Sequence, residues 1–417
     1  MKWLLYILPC LLITSCHHSE PVDALVSIQI QDRNGMTETV SAPDRLEIYE
    51  SVDFMHAQPY KKVLRVYRKE GKTASRITTY HPNGQLWQYL EAKELRASGQ
   101  YKEWYPNGQL KILATVIGGT ADVAQGSQHD WLFDGVNSAW DEQGHLIAEI
   151  PYRQGVLDGV SLYYYPNGQI EKSFPFIRNV LEGESLAYYS NGKVHSKSTY
   201  RSGLLHGATE YFFENGRVMA SEQYDDGLLL TGDYRDPSGN RVTQITDGFG
   251  FRAMFENDRL TMLAEYQRGQ AEGVIKEYSP KGSLTRAYHI KNGKKHGEEI
   301  EYFEHITAPR LSVHWSDDTI HGTVKTWYDN GQLQSQREYA QNQKNGTAIA
   351  WYKDGSIMLV EEYDENKLIS GQYYKRGSNE PISTVHKGSG IATLHDEQGI
   401  YLKKVVYIKG ELVDNEE

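Results

Sequence analysis

An all-β fold, an elongated antiparallel β-meander of tandem 24-residue hairpins, is predicted by three features of this 417-residue chain. The first is a recurring phrase: YHPNGQL at Tyr80, YPNGQLK at Tyr105, YYPNGQI at Tyr164, YYSNGKV at Tyr188, FFENGRV at Phe212, WYDNGQL at Trp327 and WYKDGSI at Trp351. The second is its period. Turn glycines Gly84 and Gly108, then Gly144, Gly168, Gly192 and Gly216, then Gly331 and Gly355 fall 24 apart within each run, and Gly282 marks a further copy. The third is composition: 30 Tyr against 10 Phe, with 38 Gly, suits amphipathic rings on half-solvated strands that turn often. A second glycine precedes each aromatic, as at Gly159, Gly183, Gly207, Gly273, Gly297, Gly322 and Gly346, so two turns per repeat are expected. Only about six to eight residues then separate turns, too few for a stable helix.

In chain order, residues 1–16 come first, with Lys2, an apolar run of 11 residues from Trp3 to Ile13, and Thr14-Ser15 before Cys16. The run is about half of the ~20 residues that a spanning helix needs, so it reads as a signal peptide. Ile13-Thr14-Ser15-Cys16 resembles the lipobox of bacterial lipoproteins, which implies lipidation of Cys16 and anchoring through several acyl chains. His17 in place of Asp after that cysteine resembles the outer-membrane sorting pattern, so a cell-envelope site, on the periplasmic or the surface face, is expected. Cys10 would be removed with the signal, leaving no free thiol, disulfide or cysteine-bound zinc in the mature chain.

Residues 17–24 read as a tether. Residues 25–76 alternate well in VSIQIQDRNGMTETV, predicting a small β cap with irregular chain at SAPDR. KKVLRVYRKEGKTASR, with seven basic side chains against one acidic, supplies Lys61, Lys62, Arg65, Arg68, Lys69, Lys72 and Arg76 as a candidate membrane-facing cluster for anionic head groups. The repeat array follows over 77–410, and 411–417 form an acidic tail.

Within a hairpin, turn chemistry sets the register. With Pro166-Asn167 at the centre of a type I turn and Gly168 as the left-handed bulge residue, Tyr164 falls opposite Ile170. The same register gives an aromatic ladder, Tyr164, Tyr188, Phe212, Tyr278, Tyr302, Trp327 and Trp351, facing an aliphatic two residues after each turn glycine. Hairpins added edge to edge advance about 9.6 Å each, so about a dozen give roughly 100 Å. Stability is then a sum over neighbours, and no cavity that could house a reaction is expected. Spacing breaks at 118–135, 233–258 and 304–315, where loops or a bend are expected.

YYPNGQIEKSFPF, YYSNGKVHSKSTY and RSGLLHGATEYFFENG together are similar to the bacterial variant of the MORN repeat. The resemblance covers 77 to about 375, and more weakly to 410. Nothing in the chain resembles a kinase domain. Members elsewhere have been proposed to bind phosphoinositides, and an antitoxin-like role is often attached to the bacterial variant, although an export signal fits that role badly.

Little in the sequence points to catalysis. A net charge of −11 argues against nucleic acid as a partner. Phosphate loop, HExxH, nucleophile elbow and dinucleotide fingerprint are all missing from the sequence. KGSG at Lys387 and GFG at Gly248 are short glycine phrases without such context. His206, His296 and His321 recur before the second glycine. They read as turn histidines rather than a metal row, because no second ligand stands beside them. No cofactor and no metal is expected. The expected function is a lipid-anchored, non-enzymatic scaffold for a protein or envelope partner. The rival is a glycan or peptidoglycan binder using exposed Trp131, Trp315, Trp327 and Trp351, or a lipid-head-group binder through the basic cluster.

Overall fold

The computed structural model describes residues 24–69 and 71–413. The signal peptide, Cys16, most of the tether and residues 414–417 therefore lie outside the described residues. The strands form one antiparallel sheet of 35 strands, and consecutive strands pair in chain order through most of the sequence. The chain divides into two compact units, residues 1–180 and 181–417.

In the first unit, β1 (Ala24–Gln31) pairs with β2 (Thr37–Val40) on one side and with β3 (Lys62–Lys69) on the other. SAPDR is not irregular chain. It opens helix α1 (Pro43–Glu50), with Pro43 in the first turn, where a missing N–H costs nothing, and Leu46 buried. Strands β4 (Lys72–Tyr80), β5 (Leu86–Lys93), β6 (Arg96–Trp104) and β7 (Leu110–Gly118) carry the sheet onward. Both faces of this stretch are covered. Val63, Tyr80 and Leu86 join the core of β1, α1 and Phe54, whereas Ile77, Leu90 and Tyr101 pack with Val123 and Trp131 of the 118–135 insertion.

The turn register is the one that the type I geometry demands. Gly168 N–H donates to Tyr165 O at 2.8 Å and Tyr165 N–H to Gln169 O at 2.9 Å. Tyr164 lies opposite Ile170, Tyr188 opposite Val194, Phe212 opposite Val218, Tyr278 opposite Leu284, Trp327 opposite Leu333 and Trp351 opposite Ile357. Tyr302 instead faces Pro309, because the turn there is lengthened through residues 304–308. All nine turn glycines have φ between 82° and 92°, the left-handed region in which a Cβ is strained.

Two expectations need correction. The second glycine of the repeat is not a turn residue. The linking turns lie four or five residues earlier, at pairs such as Gln154-Gly155, Arg178-Asn179 and Gln341-Asn342, where both residues have positive φ as a two-residue type I′ turn requires. Gly99, Gly273 and Gly346 sit inside their strands, where a Cβ would fall 2.2 Å from Glu91 Oε2, 2.3 Å from Glu265 Oε2 and 2.2 Å from Glu338 Oε2. Each carboxylate accepts the next backbone N–H, from Gln100 at 2.8 Å, Val274 at 2.8 Å and Thr347 at 3.1 Å. An acid folds over the strand at that point, and the positive φ of 128°, 107° and 99° is what favours glycine there.

The second correction concerns 233–258, which holds no loop. Strands Leu228–Arg235, Arg241–Thr246 and Phe249–Glu256 continue the sheet, joined by the DPSGN turn and the tight Asp247-Gly248 turn. The altered spacing reflects shorter strands. At the other end, Glu411–Val413 pairs with Tyr401–Ile408, so the acidic tail begins as a strand.

The second unit contains the same device twice. FENGRVMASEQYDDGLLLTGDYR at 213–235 is echoed by YKDGSIMLVEEYDENKLISGQYY at 352–374. In each copy three linking turns close a ring. Gly248 N–H donates to Leu230 O, Gly269 N–H to Gly248 O and Leu229 N–H to Gly269 O. Likewise Gly388 N–H donates to Ile369 O, Gly410 N–H to Gly388 O and Leu368 N–H to Gly410 O. The phrases GFG and KGSG belong to these rings. Glycine is required there because a Cβ on Gly248 or Gly388 would lie 2.6 Å from the next turn's amide nitrogen.

Candidate functional site

The most regular surface of the chain is the row of asparagine-glycine turns. Three of the turn asparagines, Asn83, Asn107 and Asn330, work twice. Asn107 Oδ1 accepts the Gln109 N–H at 2.8 Å, and its Nδ2 donates to Glu142 O of the following turn at 2.9 Å. Asn83 reaches Pro106 O and Asn330 reaches Lys353 O in the same way. Behind them, the hydroxyls of Tyr105, Tyr189, Tyr328 and Tyr352 donate to Trp140 O, Phe212 O, Trp351 O and Tyr374 O, again one hairpin on. Side chains thus satisfy carbonyls that the ladder leaves free, and the row of turns is stitched as tightly as the strands.

Inside the second unit, glutamates organise buried tyrosines. Glu222 has a fully buried side chain. It accepts hydrogen bonds from Tyr224 at 2.9 Å and Tyr234 at 2.8 Å and is clamped by Arg252 at 2.6 Å and 3.1 Å. Burial, and then the Glu222 charge, push both phenols well above their ordinary pKa. Burial opposes the charge on Arg252, but its bonds to Glu222 outweigh that and raise it. In the second copy Glu361 takes Tyr363 and Tyr373 at 3.0 Å and 2.8 Å, and Ala392 stands where the first copy has Arg252. These clusters hold the sheet together, and Glu361 also lines a cavity of about 410 Å³ with Glu362, Gln372 and His386.

The basic cluster does not form one surface. Lys62 pairs with Asp122 at 2.6 Å. Arg65 is only 7% exposed, with its guanidinium 4.8 Å over the Phe54 ring, and Arg76 lies 4.7 Å over Tyr67. Strand alternation is the reason: Arg65 and Arg76 are register partners on one face, whereas Lys62 lies on the other. Lys61, Arg68 and Lys72 are exposed, and Lys69 pairs with Lys72 at the hairpin end.

Among the tryptophans, Trp131 is a core residue. It is 5% exposed, edge-on to Tyr101 at 4.9 Å, and its indole N–H donates to Thr120 O. Lys295 sits 4.9 Å over Trp315. Trp327 lines a shallow groove of about 470 Å³ with Arg310, Lys353 and Glu397, and Trp351 is half-buried. Of the tryptophans, Trp87 at 41% is the large exposed ring, and sequence reasoning passed over it. It is the extra residue between the Tyr80–Leu86 and Thr79–Gln88 pairs, so a bulge turns it against simple alternation.

His206 Nδ1 lies 3.2 Å from Asp225 and 3.5 Å from Asp226, and Arg201 already binds Asp226 at 2.6 Å. These three side chains could gather a cation, but Arg201 would compete for the carboxylates. His296 meets Asp317 at 3.4 Å, and His321 is exposed.

Residues 123–125 of the 118–135 insertion help to line a cavity. It measures about 610 Å³ and is lined by Gln31, Arg33, Lys61, Lys62, Thr79, Tyr80, Trp87, Gln88 and residues 123–125, with no acid–imidazole pair in its wall.

The MORN repeat variant family matches residues 97–117, 157–177, 181–202 and 320–341, and each match covers one hairpin of the sheet. The chain is a MORN-repeat protein. No curated protein matches this MORN-repeat chain significantly. Among solved structures, a porin-like protein from Bacteroides uniformis is 14% identical over 57% of this chain and 93% of that one, with a TM-score of 0.16. That score carries no argument about function. The MORN repeats themselves make the protein a repeat scaffold, of a kind generally without enzymatic activity.

Proposed function

We propose that this MORN-repeat protein is a lipid-anchored, non-enzymatic scaffold of the bacterial cell envelope, held at the outer membrane through Cys16 and presenting its stitched turn row to a protein partner. The observation that carries the reading is the repetition of like groups: an asparagine bonded to a backbone carbonyl of the next turn recurs at Asn83, Asn107 and Asn330. A surface that offers the same groups at a fixed interval suits an extended or repetitive partner, which gains affinity by engaging several units at once. The lipobox at Ile13–Cys16 supports the anchor. Mass spectrometry of the mature N-terminus tests it: an acylated Cys16 is expected, and an intact Met1 terminus would end the reading. Affinity capture from envelope extracts should retain one partner that is lost when several turn asparagines are replaced together.

A glycan-binding role is the second reading. The tryptophan cavity near the N-terminal end favours it.

A further inference from the structure

The cavity in the first unit is built on a transverse row of the sheet. Gln31 lies opposite Lys62, Lys62 opposite Thr79, and Thr79 opposite Gln88, so four adjacent strands supply one polar floor. That floor is satisfied internally: Thr79 Oγ1 donates to Gln88 Oε1 at 3.0 Å, and Gln88 Nε2 donates to Tyr101 Oη at 3.2 Å. Residues 123–125 form part of the wall, fixed by the Lys62–Asp122 pair.

What remains available is cationic and aromatic. Arg33 donates to three backbone carbonyls, Pro59 O at 3.0 Å, Pro82 O at 2.7 Å and His81 O at 3.2 Å, which holds the guanidinium rigidly and leaves its charge without a carboxylate. Lys61 is exposed at the wall and has no ion-pair partner among the described residues. Lys62 is balanced by Asp122, so the lining carries two uncompensated positive charges in a chain whose net charge is −11. Trp87 has one ring stacked on His81 at 5.3 Å and 25°, which fixes its plane and leaves 41% of the side chain in the open.

We propose that this cavity binds an acidic sugar, a pyranose bearing a carboxylate, as a unit of a uronate-containing glycan. The apolar C–H face of the ring packs on the Trp87 indole. Lys61 and Arg33 attract the carboxylate from a site that excludes part of its water. The side-chain amides of Gln31 and Gln125, each with donors and an acceptor, match vicinal hydroxyls. The volume of about 610 Å³ lies in the range of small-ligand sites and exceeds the needs of a single inorganic anion. This proposal does not rest on the scaffold reading, and neither stands or falls with the other.

Calorimetric titration of the full chain with galacturonate and its di- and trimers, with the neutral galactose oligomers, and with benzoate provides the test. Saturable binding of the acidic sugars is expected, at least about tenfold tighter than that of the neutral ones and weakening as salt is raised. W87A and K61A should each weaken it about tenfold, while K403A, far along the chain, leaves it unchanged. Lys61 is exposed, so K61A tests the site even if W87A disturbs the hairpin. Equal affinity for neutral and acidic oligomers, tighter binding of benzoate, binding untouched by K61A, or no saturation at all would each overturn the proposal.

Discussion

At the scale of single residues, buried charge is handled by pairing it with tyrosine hydroxyls. Replacing Arg252 by alanine leaves Glu222 buried with only the two phenols as donors, and breaking a buried pair by removing one partner costs on the order of 3–5 kcal/mol. Chemical denaturation of R252A should show a loss of about that size. The raised tyrosines give a pH prediction of definite sign. In the unfolded chain phenols release their protons near pH ~10, whereas burial holds Tyr80 up to about 12 and Tyr224 and Tyr234 higher still. Above pH ~10 the folded state therefore binds more protons than the unfolded one. Stability is complete below that pH and falls as pH rises through it. Tyrosinate absorbance should lag behind that of free tyrosine and appear together with the loss of sheet signal. Early titration of these phenols in a folded protein would refute the assignment.

At the scale of the hairpin, glycines divide by what a side chain would meet. Gly168 has open space around it, so G168A should cost only about 1 kcal/mol for its positive φ. At Gly388 the added carbon would meet the Gly410 amide nitrogen at 2.6 Å, and G388A should cost about 2–3 kcal/mol by forcing the turn ring apart. Comparing the two melting temperatures separates strain from collision. Asn107→Ala loses both its bond to Gln109 and its link to the next turn, and a loss of about 1–2 kcal/mol is expected from two such bonds. The hairpin register was legible in the sequence because aromatic, turn glycine and aliphatic are local and repeat together. The acid over the second glycine was harder to see. Glu91, Glu265 and Glu338 each stand eight residues before Gly99, Gly273 and Gly346, but other units place Pro151 or His314 there, which hides the pattern. Trp87 escapes the pattern because a bulge undoes strand alternation, and Arg65 leaves the expected membrane-facing cluster because one basic run is split between two faces.

At the scale of the whole chain, stability is a matter of neighbours. Hydrogen exchange on R252A should quicken from Val218 to Tyr278, the strands packed around Glu222, and remain at the parent rate from Leu333 to Tyr374. Quickening throughout the second unit would mean that it unfolds as one block. The echo of 213–235 at 352–374 was readable as sequence, yet its meaning was not, since the ring of turns joins residues some forty positions apart through backbone groups alone.

The stitched turns also bear on how such a chain changes length. Several seams between successive hairpins are made from the same asparagine amide, the same phenol and backbone carbonyls of the next hairpin, as at Tyr105 and Asn107 and at Tyr328 and Asn330, so a gene rearrangement that adds or drops whole 24-residue blocks of this kind rebuilds a like seam. Extra residues are accommodated where they fold away from the turns, as the 118–135 insertion does: Asn107 and Tyr105 still reach Glu142 O and Trp140 O across it. Offspring of this gene should therefore differ by whole hairpins or by insertions kept clear of the turn row, while the two stretches closed by rings of three turns stay constant in size.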